Sequence, residues 1–445
     1  MRGIGEWLRE RLPELLEETG VPAAAVAVVH GDELVDAAAG TLSTATGVAA
    51  TTDAIFQIGS ITKVLTATLV HQLVEEGLVE LDRPARTWLP DLRLGDEGAA
   101  ATVTVRQLLT HTAGFEGDVF TDTGKGDDCL ERYVDLLADV PQLFPPGAMW
   151  SYNNAAFCVL GRLVEVVRGA PYDACLRAHL LAPLGLSHAA TDPYEAVLHR
   201  VAVGHVETAH RAGLHPTTTW ALARSNAPAG SMLAMRARDL VAFARHHLTA
   251  PALAAMRAPQ VALPDIGQGE AWGLGWELFR LAPTPVVGHD GNTIGQSAFL
   301  RLLPEHDLAV AVLTNGGDGK RLHRAIAGHV LRTLADVELP GVPDPPATRR
   351  TPEPLRYAGT YVSDVAETVV SGDAHGRLWL RRTPRGVLAE IDEPPYRTEL
   401  VAWRGDTLWP VDPEGGTHQP VAFLGDDGTG RAAYLHTGRA DRRVS

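Results

Sequence analysis

Cysteine is scarce. The chain of 445 residues has three (Cys129, Cys158 and Cys175), widely scattered and without CxxC spacing. That excludes a disulfide framework or a cysteine-based zinc site and leaves buried free thiols as the expectation. No apolar run approaches the ~18 residues of a membrane helix. The opening segment, MRGIGEWLRERLPELLEETG, lacks an uninterrupted apolar stretch and a small-residue cleavage site. It therefore reads as an amphipathic helix rather than a secretory signal, and a cytoplasmic location without membrane contact is expected. Positive charge is in deficit, with 39 Lys and Arg against 54 Asp and Glu and a net charge of −15. Nucleic acid is thereby removed as a partner. Lysine is scarcest of all, because only Lys63, Lys125 and Lys320 stand among those 39 basic residues. No GxxxxGK[ST] or GxGxxG phosphate loop is present, so no nucleotide cofactor is implied. His199, His205, His210 and His215 lie five or six residues apart in a polar stretch, do not match compact metal pairs, and read as solvated loop residues. No cofactor and no metal are expected.

What is present is an ordinary globular composition, 45% apolar and 21% charged. The clearest boundary is Leu339–Leu355, LPGVPDPPATRRTPEPL, with six prolines between Pro340 and Pro354. Proline neither continues a helix nor donates to a sheet interior, so this stretch reads as a semi-rigid spacer. It divides the chain into residues 1–338, a linker at 339–355 and residues 356–445. In the first part, strands are expected at Ala23–His30, Glu33–Gly40, Gly273–Arg280, Val286–His289, Gln296–Leu303 and Leu308–Leu313. Helices are expected at Ser60–Glu76, Val105–Thr110, Asn154–Arg168, Pro171–Leu181, Ala237–His247 and Lys320–Ala335. Strands at both ends with helices between suggest an α+β layered domain whose sheet joins its termini. In the tail, short runs at Tyr357–Val362, Leu378–Arg382, Thr398–Ala402, Val421–Leu424 and Ala432–His436 are separated by Gly, Asp and Pro turns. They argue for a small antiparallel barrel or sandwich.

Chemistry concentrates at Gly59-Ser60-Ile61-Thr62-Lys63. With a helix starting at Ser60, Ser60 and Lys63 lie one turn apart on the same face. A hydroxyl needs a base to become a nucleophile, and a semi-buried lysine can have its pKa lowered enough to serve. The helix N-terminus favours negative charge at Ser60 and disfavours the ammonium form of Lys63. Chance alone would place a serine three residues before a lysine about 0.07 times in a chain of this composition.

Other segments follow in a fixed order: Thr104–Phe115 (TVRQLLTHTAGF), Pro146–Asn154 (PGAMWSYNN), Ala227–Leu240 (APAGSMLAMRARDL), Trp272–Trp276 (WGLGW), Gly288–Gly291 (GHDG) and Val310–Gly316 (VAVLTNG). Together they resemble the serine β-lactamase and penicillin-binding-protein superfamily, specifically its class C-like branch of esterases, D-amino-acid peptidases and acyltransferases. The resemblance covers nearly all of residues 1–338, and the tail resembles the lipocalin-like β domain of some members. It implies an antiparallel sheet flanked by helices plus a helical lobe, followed by a small all-β barrel.

Residue by residue, the resemblance implies Ser60 as nucleophile and Lys63 as its activating partner. Tyr152 would relay the leaving-group proton, and Asn154 would orient Lys63 and the substrate amide. It implies an oxyanion hole from the backbone N–H groups of Ser60 and Asn292. His289-Asp290-Gly291 stands where many members have K-T-G, and Gly291 would let a substrate approach the backbone closely. Taken alone, Asn154 also reads as a helix N-cap. A histidine is largely neutral at pH 7 where a lysine would be a fixed cation. No counterpart is evident of the glutamate that deacylates class A β-lactamases. Ester, amide or D-amino-acid peptide substrates are therefore expected in preference to β-lactams. An alternative is release and cyclisation of a nonribosomal peptide held as a carrier-protein thioester, with Arg439 in the tail facing a substrate carboxylate. A second alternative is an acyl-binding protein without turnover. His111 is expected to support the fold near the site. Glu116-Gly117-Asp118 and Asp127-Asp128 are expected to form a solvated acidic face.

Overall fold

The computed structural model describes the chain apart from residues 209–210, 342, 391–392 and 415–416; His210 thus lies outside the described residues. Its first helix, α1 (Arg2–Thr19), buries Ile4, Leu8, Leu12, Leu15 and Leu16 on one stripe and ends at Gly20, whose φ of 62° accepts the left-handed turn. The strands β1 (Ala23–His30) and β2 (Glu33–Ser43) follow as a hairpin. The main helices after them are α2 (Thr62–Glu75), α3 (Asn154–Arg168) and α4 (Ala237–Thr249). The chain then returns to the sheet through β3 (Glu277–Arg280), β4 (Val286–Thr293), β5 (Gln296–Leu303) and β6 (Leu308–Thr314), and closes with α5 (Gly319–Ala335).

Among the described residues these strands form a nine-stranded antiparallel sheet. Its order is Val48–Ala49, β2, β1, β6, β5, β4, β3, Ala271–Trp272, Val261–Ala262. The N-terminal β1 thus pairs with the late β6, Val26 opposite Val312. Alternation explains why β1 is apolar throughout: Ala24, Val26 and Val28 pack under α1 and α5, whereas Ala25, Ala27 and Val29 face α4 and the helical lobe. A strand covered on both faces has no polar side to offer.

The expected elements occur, with local differences. The run Gly273–Arg280 is a strand only from Glu277, because residues 273–276 turn the chain between two strands. The Pro171–Leu181 helix changes pitch, running as α-helix over Tyr172–Leu176 and as a wider π turn over Arg177–Leu181. The three cysteines are buried free thiols. Among the described residues no helix is long and apolar enough to cross a membrane.

Residues 359–443 form a closed barrel of eight antiparallel strands, sealed where Tyr361 pairs with Arg443. Tyr361, Leu378, Leu400, Leu408, Phe423 and Leu435 fill it. The cavity inside is only about 30 Å³, roughly the share of one water. Its described interior is packed around that small cavity. The proline-rich stretch lies along it, with Arg350 and Asp344 carbonyls accepting from the Ala402 and Trp403 N–H groups. Tyr357 belongs to a short helix, Pro354–Tyr357, so the first barrel strand begins at Gly359.

The barrel docks on the catalytic part through one edge. The Tyr152 N–H donates to the Gly438 carbonyl (2.9 Å), His436 Nε2 donates to the Trp150 carbonyl (2.8 Å), and the Tyr434 hydroxyl donates to the Leu143 carbonyl (2.9 Å). Nearby, Glu116 is buried and accepts from the Asp364 N–H. It raises the pKa of the buried Asp441 carboxyl, which burial above all pushes up to about 7. The folded chain keeps this proton between pH 4 and 7, where an unfolded aspartate has lost it, so stability falls as pH rises through that window. Asp441→Asn is expected to flatten that part of the slope in urea titrations run from pH 5 to 8. An unchanged slope would show that another group carries it.

Candidate active site

The turn that carries Ser60 is set by backbone contacts. Gly59–Ile61 forms one 3-10 turn and α2 starts at Thr62, so Ser60 sits just ahead of the regular helix expected to include it. Gly59 has φ +51°, and a Cβ there would come within 2.6 Å of the Asn292 nitrogen. Only glycine lets the turn press against β4. Gly291 serves the same contact from the other side: a Cβ would strike the Ile58 carbonyl at 1.9 Å and approach the Ser60 nitrogen at 3.0 Å. The Cβ side of Gly291 is therefore filled by the Gly59–Ile61 turn, so a side chain there would push that turn off β4.

Lys63 is fully buried, and its Nζ lies 3.1 Å from Ser60 Oγ and donates to the Ala229 carbonyl at 2.6 Å. It also sits 4.9 Å from the Tyr152 ring centroid and 5.8 Å from that of Phe157. Burial dominates its titration and brings the pKa down to about 7, aided by Arg439 and opposed by Cys158 and Asp118. At neutral pH much of Lys63 is a free amine with a lone pair available to the Ser60 hydroxyl. Tyr152 is a neutral phenol, since burial holds its pKa above the usual value despite the neighbouring Ser60 hydroxyl and Arg439.

The Trp150–Asn154 segment is fixed from several sides. His111, at φ 58°, accepts the Asn153 N–H through Nδ1 (2.9 Å) and gives its carbonyl to the Ser151 N–H. Its ring stacks on Tyr152 with centroids 4.3 Å apart. The helix cap is Asn153, whose Oδ1 accepts from the Ala156 N–H, so Asn154 is the first helical residue and not the cap. Asn154 instead donates through Nδ2 to Asp118 Oδ1 at 2.6 Å. Asp118 in turn accepts from Arg439 Nε at 2.6 Å. Glu116 and Asp118 are buried, in contrast to the solvated acidic face expected of them. Asp118 is the site residue that sequence reasoning passed over, because its partner Arg439 lies 321 positions away.

His289 is buried on β4 beside Trp272 and Tyr152. Its Nδ1 donates to the Asp290 carbonyl (2.6 Å), and Nε2 has no partner among the described residues. Burial, reinforced by Lys63, lowers its pKa to about 3, so it is neutral and presents an acceptor. The fixed cation at the cleft near Tyr152 is Arg439, with its guanidinium carbon 4.9 Å from the Tyr152 ring centroid. Asn292 commits its side chain to Ser297 and lines the cleft together with Ser60. His205 is also buried, held by the Asn315 carbonyl and Thr44, so it is a structural residue and not a solvated one. Among the described residues no group of His, Cys, Asp and Glu is arranged to hold a metal.

Ser60, Tyr152, Asn154, His289 and Arg439 all line one cleft of about 1710 Å³, walled also by Trp150, Trp272 and Ile266. This exceeds the roughly 300–1000 Å³ of a drug-sized ligand pocket.

Comparison with known proteins agrees with this geometry. The Beta-lactamase family profile matches residues 8–335. Penicillin-binding protein 4 of Amycolatopsis lactamdurans is 41% identical over 368 residues, covering 79% of this chain and 96% of that protein. The crystal structure of SurE superposes with a TM-score of 0.82 at 30% identity over 99% of both chains, and SurE has also been solved with D-Leu. The D-amino acid amidase of Ochrobactrum anthropi SV3 shares the fold, with a TM-score of 0.62 at 24% identity over 75% of this chain and 99% of the amidase. The chain belongs to the beta-lactamase family and is a serine hydrolase of that family.

Proposed function

We propose that this member of the beta-lactamase family forms an acyl-Ser60 ester from a small ester, an amide or a D-amino-acid-containing peptide and releases the acyl group to water or an amine. The observation that carries the reading is the buried Lys63 amine 3.1 Å from Ser60 Oγ at the floor of this cleft. Lys63 takes the Ser60 proton as Oγ attacks the carbonyl carbon. The developing oxyanion is received by the backbone N–H groups of Ser60 and Asn292, usually the largest electrostatic contribution to acyl transfer. Tyr152 gives its phenolic proton to the leaving group and recovers one from Lys63. Deacylation runs the same relay in reverse, with Tyr152 accepting the proton of the incoming water or amine. Asn154, anchored by Asp118, positions the substrate amide, and Arg439 receives a carboxylate. The D-configuration is supported by the SurE structure with D-Leu and by the fold shared with a D-amino acid amidase.

A second reading is cyclising release of a peptide thioester delivered by a carrier protein. The extent of the cleft favours it, since the cleft runs from Ser60 to His418 and Arg439 of the barrel. The test offers the full chain p-nitrophenyl esters, D-amino-acid peptides, peptidyl thioesters and a chromogenic β-lactam, with products read by mass spectrometry. Free acids from esters or D-peptides are expected, with slow β-lactam turnover because His289 supplies no fixed charge. Cyclic product from the thioester would promote the second reading, and rapid β-lactam turnover would overturn the first.

A further inference from the structure

One acid in the cleft has no partner. Glu277 lines it from β3, and no described residue gives its carboxyl a hydrogen bond or an ion pair. The strand register sets its surroundings. Glu277 pairs with Gly288, and Gly288 pairs with Arg301, so the two charged side chains share one face of the sheet with only a glycine between them. Asp290, two residues beyond Gly288, lies on the same face. The Arg301 guanidinium is committed to Asp290 through two contacts, Nη1 to Oδ1 at 2.5 Å and Nη2 to Oδ2 at 3.2 Å, and packs on the Phe279 ring at 3.7 Å. His323, stacked on Phe299, is held neutral by burial, with its pKa lowered to about 3, and Arg324 beyond it donates to the Pro340 carbonyl. His289, next to Asp290 in β4, points to the opposite face of the sheet. Two carboxyl groups thus flank the Arg301 guanidinium, which is committed to one of them. Burial, and then Asp290, accordingly hold the Glu277 carboxyl well above the usual range in the empty cleft.

Glu277 and Gly269 both line the cleft. Gly269, at φ +110°, packs closely here, since a Cβ on it would lie 3.0 Å from the Leu278 carbonyl and 3.5 Å from Glu277 Oε1. Glu277 pairs in register with Trp272, whose ring lies 5.8 Å from that of Tyr152, and the Arg439 guanidinium carbon lies 4.9 Å from the same tyrosine ring. The cleft around Tyr152 is therefore bordered by a cation and by an acid without a partner among the described residues.

We propose that Glu277 forms a second recognition subsite that receives a protonated amine of the substrate, complementing the carboxylate-binding Arg439. The subsite rests on the acyl-serine reading above and specifies its substrate class: a peptide or amino-acid derivative with a free amino group. An ammonium entering beside Glu277 supplies the missing cation and ionises the carboxyl, giving a charge-assisted hydrogen bond in a site with little water.

The test measures protection of the full chain from labelling by a fluorophosphonate probe, with D-phenylalaninamide and N-acetyl-D-phenylalaninamide as competitors. The free amine is expected to protect at least about tenfold more tightly than its acetylated form. In Glu277→Gln, with its fold checked by circular dichroism, that ratio is expected to fall to about one, and Glu277→Asp is expected to keep part of it. No preference for the free amine in the wild type, whether both compounds protect or neither does, overturns the proposal. So does a preference that survives in Glu277→Gln. If the wild type does not label at Ser60, the acyl-serine reading fails instead, and isothermal titration of the same two compounds still decides the subsite by the same ratio.

Discussion

Lys63→Arg is expected to lower kcat/KM by about 10³–10⁴-fold, the upper range for loss of a general base, and Ser60→Ala to abolish covalent labelling altogether. Arginine keeps the charge, but with a pKa above ~12 it has no lone pair to offer at any pH the fold survives. The site also has no room to spare, since Lys63 is fully buried with Nζ shared between Ser60 and the Ala229 carbonyl. Lys63→Met, which keeps the length and removes the charge, separates packing from chemistry and should be as inactive as the arginine variant. The wild-type pH profile supplies the independent check. Because burial brings the Lys63 pKa to about 7, the free amine accumulates as pH rises, and kcat/KM is expected to climb below pH 7 and level off above it. His289 contributes no inflection in that range, its pKa being lowered to about 3. Full activity of Lys63→Arg, or a profile flat from pH 5 to 8, would remove Lys63 from the mechanism.

Ending the chain at residue 338 is expected to cost about 10²-fold in kcat, the scale on which small misplacements of catalytic groups act. The described interior of the barrel is packed, and its edge holds the Trp150–Asn154 segment in place. Gly438 accepts the Tyr152 N–H, His436 holds the Trp150 carbonyl, and Arg439 neutralises Asp118, which in turn holds Asn154. Without the barrel, Tyr152 loses a backbone anchor and Asp118 is left with no cation. Arg439→Ala keeps the barrel and isolates the last of these effects. It should raise KM for substrates with a free carboxylate more than for neutral esters, read from paired steady-state assays. A truncated chain with full activity would show that the barrel edge is not part of the site.

The two variants probe different kinds of information. Ser60 and Lys63 could be found in the sequence because their relation is local: helical pitch alone brings residues three apart together. The same holds for the apolar runs of β1 and β6, whose burial on both faces leaves a continuous hydrophobic signature. The eight-stranded closure was only half legible. Strands such as Ala366–Gly372 and Ala440–Arg443 carry charged outward residues and no strong alternation, so they emerge only when paired.

Asp118 shows what could not be read. In the chain it is one of several acids in a loop, indistinguishable from Asp127, which remains exposed, and Asp128, which is half-buried. Burial and Arg439 make it a site residue, and Arg439 comes from a barrel that begins more than 200 positions later. Gly291 shows the same limit in reverse, since its lack of a side chain was visible but the neighbour requiring it was not. By itself the sequence determined the family and the pairing of Ser60 with Lys63, because these rest on short-range spacing and on the order of recurring segments. Tertiary structure alone decided how far Lys63 is desolvated, which cation stands near Tyr152, and that Glu277 is left without a partner. Those are properties of burial and of charges brought together across the chain, and no local pattern encodes them.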